Sequence, residues 1–260
     1  MVETQEIESF REEIIANWTN NFSNKKLENA NLPDYLKNNF LINQIANQSK
    51  TIIQILDMSN FKIVYTSPNC FEITGFTDSE LNNTGFTYWL RTIPFKQILF
   101  YVKSSKFVNE KLKLLKSNEI NFSNQCINLA FKNKMGESRS MVSTNTCIEW
   151  IGNKQKYQLI MWRDMTEKFK NKEFSVRYLI GNEVFNYFST QGKFKNGELL
   201  TDKESEIIKA HKTGLSTKEI ADFMNLSNFT IDNHKKNLLS KLNTNSMDNV
   251  LEILNFIGFE

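Results

Sequence analysis

The sequence predicts an α+β protein in two unlike parts: a five-stranded antiparallel sheet with helices over one face, then an all-α bundle of four short helices. Three observations predict it. Between residues 48 and 168, short β-like runs bracketed by turn residues flank a group of helical patterns. From residue 197 onward, Thr or Ser is twice followed three residues later by Glu, each pair opening an apolar pattern of helical spacing. The 260 residues are 40% apolar and include 21 Phe, enough for more than one core.

Residues 1–47 read as two N-terminal helices. Ile7, Phe10, Ile14 and Ile15 recur at helical spacing, Leu32-Pro33-Asp34 marks a turn, and Leu36, Phe40, Leu41 and Ile45 form the next stripe. These faces would cover a sheet or a partner subunit. Residues 48–168 change character. Thr51 to Asp57 and Phe61 to Tyr65 are β-like runs around the turn Met58-Ser59-Asn60. Pro68 suits a first helical position, Gly75 ends that helix, and Thr77 with Glu80 starts another. Pro94 to Lys116 carries a longer stripe of Ile98, Leu99, Val102, Phe107, Leu112 and Leu115. Extended runs follow from Ile120 to Phe131, Ser140 to Trp150 and Tyr157 to Trp162, with turns at Asn133 to Gly136 and Gly152-Asn153. Residues 169–196 form a linker: with Met165, the positions Phe169, Val176, Leu179, Ile180, Val184 and Phe188 recur at steps of three and four, with Lys172 interrupting one step. That spacing predicts an amphipathic helix that pairs with its twin or lies back on the sheet.

Residues 197–260 hold the four short helices. Thr201 with Glu204 and Ser216 with Glu219 are capping boxes, in which each residue satisfies a free amide of the other. Gly214 closes the first helix, and Asn225, tolerant of the left-handed conformation, stops the second. Ser227 caps the third and Ser246 the fourth, which turns Val250, Leu251, Leu254 and Ile257 inward. Ile231, Leu238 and Leu242 share one face of the third helix; Asn228, Asp232, Asn233 and Lys236 lie largely on another. Two short helices around a tight turn, with the small Ala221 where they cross, are the layout of a helix-turn-helix, whose second helix enters the DNA major groove.

The totals exclude several classes. Three scattered cysteines, Cys70, Cys126 and Cys147, form no disulfide framework and fit a reducing cytosol. No CxxC pair occurs, and the two histidines, His211 and His234, both lie late in the chain, which argues against structural zinc. Met1 to Glu13 is acidic, unlike a signal peptide, and no run of ~18 apolar residues is present to span a membrane, so a cytoplasmic protein is expected. No Gly-rich phosphate loop or Ser/His/acid grouping points to an enzyme. The net charge of +3 is small, and residues 193–260 carry nine Lys against ten acids, a net of −1. Modest non-specific affinity for DNA follows, so tight binding would need two copies.

The set Leu200-Thr201, Glu204, Glu206-Ile207, Gly214, Ser216, Lys218-Glu219-Ile220-Ala221, Leu226-Ser227, Thr230-Ile231, His234 and Lys241-Leu242 resembles the DNA-binding domain of LuxR-type (GerE-like) transcription regulators. The resemblance covers about a quarter of the chain. It implies duplex DNA as partner, a homodimer, and contact with the transcription machinery. Leu215 to His234 would be the motif. Within and beside it, Asp232, Asn233 and Lys236 would face base edges, and Lys218, Ser227, Asn228, Thr230, Lys235 and Lys241 would contact DNA around them, mostly at phosphates. Asp232 could accept from a cytosine amino group or orient Lys236 one turn away. Dimerisation is expected through Phe169, Val176, Leu179 and Ile180 of the linker and Val250 and Leu254 of the last helix.

The order of elements in 48–168 resembles a PAS sensor domain, carried by Phe61-Lys-Ile-Val-Tyr-Thr-Ser-Pro-Asn-Cys-Phe-Glu-Ile-Thr-Gly-Phe76, the turn ending at Gly136, and Trp162-Arg-Asp-Met-Thr166. Such folds hold haem, flavin or a small organic ligand between helices and sheet, or hold nothing. The absence of histidine before His211 argues against histidine-ligated haem. Asn69-Cys70-Phe71 departs from the Gly-x-Asn-Cys-Arg-Phe run of related flavin photoreceptors, which argues against a cysteinyl flavin. No cofactor is assigned; an unidentified small ligand in the pocket, with Trp89, Trp150 and Trp162 as candidate lining, stays open beside core packing for the same residues. The expected function is a dimeric, sequence-specific, DNA-binding transcription regulator set by a PAS-like sensory or dimerisation domain. The alternative is a PAS scaffold whose helical end binds no DNA.

Overall fold

A computed structural model describes residues 40–85, 87–115, 121–152 and 154–259. The expected first helix, Ile7 to Ile15, lies outside the described residues. The described chain is α+β, in the order α1 (Phe40–Ser49), β1 (Thr51–Asp57), β2 (Lys62–Thr66), α2 (Cys70–Thr74), α3 (Asp78–Thr84), α4 (Thr87–Thr92) and α5 (Phe95–Leu112). There follow β3 (Phe122–Lys132), β4 (Ser138–Ile151), β5 (Lys154–Asp164), a 3-10 turn at Thr166–Lys168, then β6 (Ser175–Ile180), β7 (Glu183–Phe188) and β8 (Lys193–Asn196). Four helices close it: α6 (Asp202–Lys212), α7 (Thr217–Met224), α8 (Asn228–Lys241) and α9 (Met247–Phe256).

All eight strands join one sheet in the order β2-β1-β5-β4-β3-β6-β7-β8, antiparallel throughout. The first five strands sit where the sequence placed them. The last three correct it. Residues 169–196 contain no linker helix among the described residues; they fold as β6, β7 and β8, so the sheet has eight strands rather than five. Val176, Tyr178 and Ile180 alternate inward along β6. Ile180 pairs with Glu183 across the two-residue loop Gly181-Asn182, with Gly181 at φ +61°. Gly at the first position of a two-residue loop supplies the positive φ that a tight hairpin needs.

One face of the sheet buries Leu56, Phe122, Cys126, Met141, Ile160, Trp162, Val176 and Tyr178 under α2 to α5. Trp89 of α4 stacks on Trp162 at 4.8 Å between ring centres. In α5 the buried positions are Gln97, Ile98, Phe100, Ser104 and Val108, whereas Leu99 and Val102, expected inward, are exposed. Likewise α1 buries Ala46, and Ile45 faces solvent. The hairpin between β1 and β2 is fixed by a pair that no local pattern announces. Lys156, 1% exposed, donates to Asp57 Oδ2 at 3.0 Å, and Asp57 Oδ1 accepts from both the amide and the hydroxyl of Ser59. A charge removed from water this completely is tolerated only with its partner in place.

The opposite face of the sheet gives Ile127 and Val142, joined by Met165 just after β5, to a second core shared with α6 to α9. The helical end is therefore seated on the sheet's far side.

Candidate nucleic-acid interface

Each helix of the bundle begins at the cap its sequence foretold. Thr201 Oγ1 accepts from the Glu204 amide at 3.3 Å and Glu204 Oε2 accepts from the Thr201 amide at 2.8 Å. Ser216 and Glu219 repeat the exchange at 3.3 and 2.8 Å. Ser227 Oγ accepts from the Thr230 amide at 3.1 Å, and Ser246 Oγ from the Asn249 amide at 3.2 Å. Asn225 stops α7 at φ 53°, ψ 45°, the left-handed region. The turn from Asn225 to Ser227 then launches α8, which packs on α6, α7 and α9 through the fully buried Ile231, Leu238 and Leu242.

That packing decides which side of α8 meets solvent. Asn228, Asp232, Asn233 and Lys236 are exposed, and Phe229 with them. Among residues nominated around this face, Lys218 is exposed on α7, and Ser227 and Thr230 are tied to each other at 2.8 Å between hydroxyls. Two nominated lysines are occupied. Lys235 Nζ donates to Thr217 Oγ1 at 2.8 Å, bracing α8 against the start of α7. Lys241 Nζ donates to Glu204 Oε2 at 2.5 Å and to the Leu199 carbonyl, which makes it a structural cation of the bundle rather than a free phosphate ligand. Asp232 and Lys236 are not ion-paired, so the aspartate does not hold the lysine in this structure.

Burial pushes the Glu204 carboxyl up, but the hydrogen bonds from Lys241 and the Thr201 amide outweigh it and hold it below the ordinary glutamate value. The sequence announced the Thr201 bond through the capping box; the Lys241 bond joins residues too far apart for any local pattern.

Four of the six residues nominated for pairing of two copies belong instead to the interior of one chain. Val176 and Ile180 sit in the core under α5, and Val250 and Leu254 in the core of the bundle. Leu179 is half-buried on β6. Phe169 bridges to Thr244, where the Thr244 hydroxyl donates to the Lys168 carbonyl at 2.7 Å. Apolar steps of three and four place Phe169, Val176, Leu179 and Ile180 on a helix stripe; in β6, Leu179 instead turns to the face opposite Val176 and Ile180.

The sheet holds the bundle through polar contacts at α9. Gln125 Nε2 donates to the Ile257 carbonyl at 2.6 Å, the Arg163 guanidinium lies 4.6 Å over the Phe256 ring, and Lys168 pairs with Glu252 at 2.9 Å. Arg177 joins Glu198 at 3.1 Å and Gln125 Oε1 at 3.2 Å. Cationic and donor groups at the carboxyl end of a helix complement its free carbonyls. None of these contacts touches the exposed side of α8.

Between α5 and the sheet lies a cavity of about 710 Å³, lined by Tyr101, Ser104, Asn124, Asn145, Trp162 and Tyr178 among others. Its charged neighbours Lys106, Glu110, Lys113 and Lys154 are all solvent-exposed, leaving amides, hydroxyls and aromatic and aliphatic carbon inside. Asn145 Nδ2 donates to Asn124 Oδ1, while Asn145 Oδ1 and Trp162 Nε1 have no hydrogen-bond partner among the described residues. Trp162 is thus cavity wall; Trp89 backs it from the core, and Trp150 packs at the core's edge. Cys70 is fully buried, and its thiol is pushed up to about 12 by burial and by nearby Asp78. Among the described residues no cluster of three or more His, Cys, Asp or Glu could hold a metal, and no helix is long and apolar enough to cross a membrane.

Comparison with known proteins bears on the bundle. The profile of the bacterial regulatory proteins of the luxR family matches residues 198–253. An uncharacterized response regulatory protein of Escherichia coli K12, YgeK, is 37% identical over 54 residues, which are 21% of this chain and 37% of that protein's length. The chain aligns with that of a Vibrio cholerae VqmA dimer solved in the absence of target DNA, with 15% identity, a TM-score of 0.34, and coverage of 85% of this chain and 89% of that one. A sensory box histidine kinase/response regulator from Burkholderia thailandensis aligns over 48% of this chain and 84% of its own, with 15% identity and a TM-score of 0.32. The capped helices, the left-handed Asn225 turn and the matched segment together make residues 198–253 a helix-turn-helix domain of the luxR family at the C-terminal end of this chain.

Proposed function

We propose that this chain is a sequence-specific regulator of transcription that binds duplex DNA as a homodimer and answers to a small neutral ligand held between α5 and the sheet. One observation carries the proposal: a luxR-family helix-turn-helix whose α8 keeps Asn228, Asp232, Asn233 and Lys236 open to solvent while its other side is locked in the core. The amino end of α8 enters the major groove. Asn233 pairs with an adenine at two atoms, Lys236 reaches guanine acceptors, and Asp232 accepts from a cytosine amino group. Lys218 and the hydroxyls of Ser227 and Thr230 position the domain on phosphates. The net of −1 over residues 193–260 makes non-specific attraction weak, so two linked half-sites are required for tight binding, and contact with the transcription machinery follows from the bound dimer.

Signal transfer has a short path. The cavity residues Asn124, Trp162 and Tyr178 each adjoin in sequence a residue that grips the bundle: Gln125, Arg163 and Arg177. Neighbours on a strand point to opposite faces, so a ligand that shifts the first set moves the second. The amide and hydroxyl groups among the lining residues suit a ligand offering both a donor and an acceptor.

The test is the Lys236→Ala variant on a selected duplex. It should lose ~1–3 kcal/mol on the preferred site and discriminate less between sequences. Equal weakening on all sequences would place Lys236 on a phosphate. The weakly acidic end domain favours a second reading, a scaffold that binds no DNA; the absence of any retained duplex from a random pool would establish it in place of the first.

A further inference from the structure

Phe229 is the second residue of α8 and stands 72% exposed. Single exposed apolar side chains are ordinary on protein surfaces. The position of this one is not. Asp232, Asn233 and Lys236 follow it at three, four and seven residues, so all four share one face of α8. The core of the bundle is filled from the other side by Ile231, Leu238 and Leu242, and Phe229 contributes nothing to it. A helical side chain leans toward the amino end of its helix, which carries the ring toward the end of α8 that enters the groove.

We propose that Phe229 reads the C5-methyl group of a thymine in each half-site. This rests on the DNA-binding reading above and adds a residue to it. The ring has no hydrogen-bond donor or acceptor, so it can distinguish base pairs only through apolar contact, and in the major groove the thymine methyl is the apolar mark. Asn233, one turn further along, is suited to adenine. The two together select an A·T-containing core, with Lys236 reading beyond it. Phe223, 73% exposed at the end of α7, does not lie on this helix and is not assigned the same task.

The experiment uses the full chain and its best duplex from a random pool, with each thymine replaced singly by deoxyuridine, which lacks only the methyl group. The wild-type chain should lose about fourfold in affinity at one thymine per half-site, the worth of one buried methyl group. Phe229→Ala should bind more weakly and respond equally to thymine and deoxyuridine there; Phe229→Leu should keep part of the preference. Circular dichroism confirms that the variants fold, as expected for so exposed a position. Binding by the wild type that is blind to every methyl group, or a preference that survives in Phe229→Ala, overturns the proposal and leaves the DNA-binding reading standing. Failure of the wild type to retain any duplex overturns both.

Discussion

Residues 165–188 and residues 201–257 carry apolar side chains at the same steps of three and four, yet the first stretch folds as strands and the second as helices. The difference lies in what brackets the apolar residues. Every helix of the bundle starts at Thr or Ser with a side-chain oxygen on a backbone amide, and α7 stops at a residue in the left-handed region. Residues 165–188 have no such brackets. They have Gly181-Asn182, a two-residue loop, between runs rich in Val, Ile, Tyr and Phe. Spacing proposes a period; caps and turns decide it.

The two regions also differ in how they are held, and that can be put to the test. The largest effect is expected in the sheet, where Lys156 and Asp57 are buried on each other. Replacing Lys156 with Ala should cost ~3–5 kcal/mol, because it strands the Asp57 carboxylate. Chemical denaturation followed at the sheet's tryptophans would show it, and a loss under ~1 kcal/mol would mean that water reaches the carboxylate. Gly181→Ala comes next, and its sign decides between strand and helix. A Cβ in the left-handed conformation of the hairpin should destabilise by ~1–2 kcal/mol. Were the segment helical, the same change would stabilise by ~1 kcal/mol. Ser216→Ala should cost the bundle ~1 kcal/mol through the lost cap, with Ser216→Gly milder.

The last effect concerns pH. Because the folded Glu204 carboxyl titrates below its ordinary value, its contribution is fully present above that ordinary value. It is lost as pH falls through the folded value. Thermal melts of the bundle should weaken on acidification through the glutamate range, and Glu204→Gln should flatten that slope. An unchanged slope in the variant would place the acid sensitivity elsewhere.

How much was legible follows from the same contrast. The bundle's helices, caps and core residues Ile220, Ala221, Ile231 and Leu238 could be read directly, since a helix is written in contacts a few residues apart. The first five strands were legible through their turns. What escaped joins distant positions: Lys241 with Glu204, Lys156 with Asp57, and Arg163 and Gln125 with the end of α9. No pattern of neighbours encodes such pairs. The strand pairing of β6 to β8 escaped for a different reason, because Gly181-Asn182 carried a turn signal that the apolar spacing overrode. Phe229 escapes because an apolar ring lacks the polarity that marks a DNA-facing residue; its spacing to Asp232, Asn233 and Lys236 is the signal the sequence carries.

The exposed face of α8 is the claim on which the functional account turns. Its most direct test is a gel shift of the full chain against a pool of random duplexes, with the retained fraction sequenced over several rounds. The account predicts enrichment of one pattern of paired half-sites with centres about one helical turn apart. A pool that stays random, or is never retained, would contradict it.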